Sequence, residues 1–185
     1  ADGSESNNVA IGFGTLAAMN NDASNYNTAI GYNAGTSVSS GIHNTIVGGL
    51  AGDSLNTGFA NIAVGYEAMG SATIANNNVA IGKDALATNV AADRNVAIGS
   101  EALEFMTSAT TADTYNVAIG YNAGKQVTTG VENVLIGGLA GDALTTGHYN
   151  VAIGTRALST EDGHGYCVAI GRDALKNQNA GANAY

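Results

Sequence analysis

Glu67, Asp84 and Glu101 recur at intervals of 17 residues, and three carboxylates brought into one row could do two kinds of chemistry. If each interval is one turn of a stacked β-structure, the carboxylates lie roughly 5 Å apart. A hard cation with oxygen ligands would relieve their repulsion. The same spacing matches the carboxylate pair of a retaining glycosidase. Lys83 beside the row supports a third reading, a solvated acidic stripe. Other reactive types are sparse. GGLAGD at 48–53 and 137–142 has Gly and Asp in the wrong order for a calcium nonapeptide. His43, His148 and His164 never fall in one row with ligand spacing, and Cys167 is the sole cysteine. The aromatics are better ordered. Phe13, Tyr32, Tyr66 and Tyr121 share one repeat position, and Tyr26, Tyr115, Tyr149, Tyr166 and Tyr185 share another. Such rings can stack on sugar faces or cover corners of the fold.

What positions these groups is a repeat. With the Asn of Asn-Val-Ala-Ile-Gly as position 1, units begin at Asn8, Asn27, Asn44, Asn61, Asn78, Asn95, Asn116, Asn133, Asn150 and Cys167. Most spacings are 17 residues, so each unit is one short supersecondary element stacked on the next. Position 5 is Gly throughout, including Gly12, Gly31, Gly82 and Gly120, and marks a corner with positive φ or close backbone approach. Position 4 is always Ile or Val, as at Ile30, Ile98 and Ile119, and position 2 is mostly Val. Position 3, on the opposite face, is mostly Ala. A strand apolar on both faces needs two dry surfaces. This reading buries the position-4 row and leaves an Ala-rich outer face for copies of the chain to cover. Aliphatics at position 12 (Val38, Leu55, Val127, Leu144) predict a second short strand and a flattened two-sheet roll. The leading Asn, as at Asn27, Asn95 and Asn116, predicts a ladder of stacked amides.

Units 3 and 8 enlarge position 3 to Ile46 and Leu135, shrink position 6 to Gly49 and Gly138, and place Leu50 and Leu139 at position 7. That suggests volume traded between neighbours in a packed core. These units lie 89 residues apart, as do Asn27 and Asn116, so a five-unit block has been duplicated. The chain reads as a single repeat domain over 1–185: a lead-in at 1–7, one block over 8–94 and its duplicate over 95–185. Tyr185 stands where another unit would follow, as expected of a piece of a longer repeat protein.

Composition limits the functions. With 45% hydrophobic residues in regular places and no Pro, the chain is ordered and sheet-rich. A formal net charge of −9 argues against nucleic acid and anionic membranes as partners. No apolar run reaches the roughly 20 residues of a membrane span.

The segments NVAIG, NTAIGYNAG and NVLIGGLAGDALTTG resemble two related groups of repeats. One is the head of trimeric autotransporter adhesins, a left-handed parallel β-roll. The other is the repeat region of bacteriophage tail fibres. The 17-residue spacing, the leading Asn and the GGLAGD variant resemble the fibres more closely. The resemblance implies a homotrimeric rod used in host recognition on the virion, with the bacterial cell surface as the adhesin alternative. A polysaccharide-cleaving tailspike is a third reading, but no insert here builds a cleft. The expectation is therefore an all-β left-handed parallel roll of ten turns, homotrimeric and not an enzyme. It needs no cofactor, and its partners are itself and a host cell-surface glycan through Tyr32, Tyr66 and Tyr121.

Overall fold

A computed structural model describes residues 7–20, 24–107, 112–160 and 163–177. Residues 1–6 of the lead-in and Tyr185 lie outside these. Twelve short strands follow in chain order: β1 (Val9–Ile11), β2 (Thr28–Ile30), β3 (Thr45–Val47), β4 (Ile62–Val64), β5 (Val79–Ile81), β6 (Ala92–Asp93), β7 (Val96–Ile98), β8 (Ala112–Asp113), β9 (Val117–Ile119), β10 (Val134–Ile136), β11 (Val151–Ile153) and β12 (Val168–Ile170). Ten of them form one parallel sheet in the order β1-β2-β3-β4-β5-β7-β9-β10-β11-β12. The register is constant, pairing each position with its counterpart one unit on, as in Ala97↔Ala118 and Ile98↔Ile119. There is no helix among the described residues. The fold is an all-β solenoid, its turns stacked along one axis.

A three-residue strand can direct its middle side chain one way and its outer two the other. Here the middle residue points inward. Ala29, Ala63, Ala80, Ala97, Ala118 and Ala152 are fully buried, as are Ile46 and Leu135 in the same row. Positions 2 and 4 point out of the solenoid, and not one of their residues is buried. This reverses the faces expected from the sequence: the position-4 row, Ile30, Ile98 and Ile119 included, is not the interior, and the outer face is Val/Ile-rich rather than Ala-rich. With both faces apolar, alternation alone could not say which was inside.

The rest of the interior comes from position 8 (Ala34, Ala51, Ala68, Ala85) and from positions 9 and 12. Val38, Leu55, Val127 and Leu144 are fully buried, but none of them lies in a strand. Outside the main sheet the only paired strands among the described residues are β6 and β8, just before the leading Asn, through Ala92↔Ala112 and Asp93↔Asp113. The expected second strand is instead a wall of turns. Its N–H groups bond from one turn to the next, as Asn56 donates to Thr73 O (3.0 Å) and Thr128 to Thr145 O (2.9 Å).

The enlarged position-3 residues are accommodated at position 9, not at positions 6 and 7. A Cβ at Gly124 would meet Leu135 Cδ1 at 2.6 Å and Leu103 Cδ2 at 2.9 Å, and one at Gly141 would meet Leu135 Cδ2 at 2.8 Å. Units with a large position 3 therefore have Gly at position 9 in their own and the preceding turn. Elsewhere Leu or Met fills that slot, as at Met69, Leu86 and Leu103. Gly49, by contrast, has only the Tyr66 ring near it, at 3.6 Å.

The chain turns sharply three times per unit. Every described non-glycine residue with positive φ sits at position 7, position 9 or the residue before position 1. That conformation costs an L-residue roughly 1–2 kcal/mol. It persists because the N–H of most such residues stays on the axial ladder, as Glu67 N bonds Gly49 O and Met69 N bonds Ala85 O.

The leading asparagines form a buried ladder. Asn116 donates its backbone N–H to Asn95 Oδ1 (3.1 Å) and its Nδ2 to Gly130 O (2.8 Å). Its own Oδ1 accepts the N–H of Asn133 (3.0 Å) and Nδ2 of Asn133 (3.0 Å). The same scheme runs from Asn27 to Asn150, whose Oδ1 accepts the N–H of buried Cys167 (2.9 Å). Replacing Asn116 by Ala would leave the Asn133 N–H and Gly130 O buried without that partner. The expected cost is about 2–5 kcal/mol, read as a melting midpoint lowered by roughly 5–15 °C. An unchanged midpoint would mean that the ladder adds nothing to stability.

Candidate functional site: the outer face of the sheet

Two apolar rows run the length of the solenoid on the outside of the ten-stranded sheet. In the end strands Ile11 and Ile170 are more than half exposed; toward the middle the rows are half-buried by their neighbours along the axis. Stacking at about 4.8 Å per turn makes the strip roughly 48 Å long. Two further rows flank it. After the corner Gly come Phe13, Tyr32, Tyr66 and Tyr121, all exposed. Before the leading Asn come Tyr26, Tyr115, Tyr149 and Tyr166, also exposed. Along the axis these rings meet in pairs, Phe13 with Tyr32 (centroids 5.8 Å, 11° between planes) and Tyr149 with Tyr166 (5.0 Å, 21°). Arg94 lies over the Tyr115 ring, whose hydroxyl donates to Asp113 (2.9 Å). Tyr32, Tyr66 and Tyr121, expected to contact glycan, thus border an apolar strip.

Glu67 and Asp84 lie beside the row that follows the corner Gly, in a groove of about 430 Å³ whose lining also includes Asp53 and Glu104 but not Glu101. Sequence analysis named Glu67 and Asp84 but missed Asp53 and Glu104. These stand at position 10, which the tight turns at positions 7 and 9 bring beside position 7. Burial holds the Asp53 carboxyl above the usual range, opposed by a hydrogen bond with backbone Ser54 and reinforced by the charge of Glu67. Its duplicate, Asp142, is raised by burial as well. The acidic row itself is largely paired. Lys83 binds Asp84, and Lys125 bridges Glu101 and Glu104, both of which raise its ammonium pKa. Among the described residues no three His, Cys, Asp or Glu side chains gather in a way that could hold a metal ion. His43 stands in the flanking row with its ring tilted against Tyr26, and His148 meets the adjacent Tyr149 edge-on.

No protein-family model, curated protein or solved structure matches the chain.

Proposed function

We propose that the chain is a rigid segment of a homotrimeric bacteriophage tail fibre, which carries recognition along its length without doing chemistry. The observation that supports this is the outer face of the sheet. Ten strands in register present unburied Val and Ile along one side of a thin rod. A soluble chain seldom leaves so long an apolar strip to water unless something covers it. Copies of the same chain are the natural cover, because a closed symmetric ring buries the strip of each member equally.

The fibre reading stands above the adhesin reading on the 17-residue units and the leading Asn. It stands above the tailspike on the groove, where Asp84 and Glu104 are neutralised by lysines. Contact with host-surface glycan falls to the exposed rings of Tyr32, Tyr66 and Tyr121, which offer stacking faces and hydroxyls. Incubation of the purified assembly with host envelope polysaccharide should release no new reducing ends. Ala at the three tyrosines should lower binding to host cells. Oligosaccharide release that disappears with Glu67→Gln or Asp53→Asn would make the protein a polysaccharide-cleaving enzyme instead. Unchanged cell binding would leave the segment a spacer.

A further inference from the structure

The apolar strip is too narrow to hold copies together by itself. Positions 2 to 4 span about 7 Å, so over roughly 48 Å they offer some 340 Å². A stable pair needs about 800 Å² from each partner. Widening the contact to the flanking rows, about 20 Å across, supplies roughly 950 Å². The flanking rows must then take part, and their side chains show how they could meet.

In any parallel arrangement about the solenoid axis, the row before the leading Asn on one copy meets the row after the corner Gly on the next. The second row has two glycines, Gly49 and Gly138. At their level or one turn below, the first row carries bulky groups: Tyr26 and His43 beside Gly49, Tyr115 and Glu132 beside Gly138. The first row's one small member, Ala60, shares a level with Tyr66. A shift of one turn the other way would set Ala60 against Gly49 and Arg94 against Lys83, a gap and a repulsion. An antiparallel pair would instead set like rows together, Gly49 facing Gly138 across a void.

Resting on the homotrimer reading, we infer that the two aromatic-bearing rows are the seams between parallel copies, each glycine of one row receiving a bulky side chain of the other. Tyr66 and Tyr121 therefore sit at a boundary shared by two chains, and a glycan stacked on them meets side chains of both.

The test uses the full chain with Cys167→Ser, so that the introduced thiols are the only ones. His43→Cys with Gly49→Cys, treated with a bis-maleimide spanning roughly 10 Å, about two axial steps, should give covalent oligomers on a denaturing gel. Gly49 has no positive φ, and a Cβ there would meet only a ring at 3.6 Å, so a side chain is tolerated. His43→Cys with Gly138→Cys, about five turns apart, should give none. Nor should Gly49→Cys with Gly138→Cys. Linkage of that last pair would make the copies antiparallel and overturn the inference. So would an unlinked 43/49 variant that still sediments as an oligomer, which leaves the assembly reading standing. A folded monomer would remove both.

Discussion

Ala97→Asp should prevent the solenoid from forming, whereas Ile98→Asp, one residue on, should leave it folded and separate the copies. Ala97 is fully buried at the middle of the central strand β7, facing Ala80 and Ala118 in the turns on either side. A carboxylate there has no cation to meet and costs several kcal/mol, about 3–5 by comparison with other unpaired buried charges. Because each turn is held by its neighbours, the damage spreads from the centre in both directions. Ile98 points out of the same strand and is only half-buried within its own chain. Asp at that position can reach water in a monomer but not at an interface. Circular dichroism should show lost sheet for Ala97→Asp and retained sheet for Ile98→Asp, with sedimentation showing a smaller particle for the latter. Equal loss of sheet in both would mean that position 4 supports the chain's own fold.

The second large effect is expected at the glycine corner. Gly82 has φ +137°, a conformation open almost only to glycine, and a Cβ built on it would lie 2.4 Å from Gly99 O and 2.5 Å from Gly99 C. Both obstacles are backbone of the next turn, so neither can swing aside. Gly82→Ala must bend the corner or open the spacing between turns, and the expected loss is on the order of 4 kcal/mol. Gly138→Ala is the matched control. Its φ is not positive, and the nearest atom to a Cβ there is Tyr121 O at 4.0 Å. That variant should keep the sheet of the parent chain, any loss falling on the seam between copies. If the two alanine variants melt alike, the corner is less tightly stacked than the contacts require.

Much of this was legible in the residues. The invariant glycine announced a corner, and the leading Asn announced an amide ladder, because each needs one side chain at one place in every turn. The choice of interior was not legible from strand pattern, since Ala on one face and Val or Ile on the other are all apolar. A volume signal did point to it. Ile46 and Leu135 coincide with glycines at position 9, which makes sense only if position 3 faces inward toward position 9. The left-handed turns at Leu86, Leu103 and Tyr115 left no such mark, because Leu and Tyr do not advertise positive φ. Their only trace was Gly or Asn appearing in the same slots of other units. The acidic groove needed those turns to be known, so Asp53 and Glu104 could not be placed beside Glu67 and Asp84 in advance.

The claim on which the functional reading depends is that copies of this chain cover the exposed Val and Ile rows. Sedimentation equilibrium of the unmodified chain at micromolar concentration tests it most directly. The account predicts a single species of three times the 18.4 kDa chain mass, persisting on dilution. A folded, soluble 18.4 kDa monomer would contradict it, because the apolar strip would then face water with nothing to cover it.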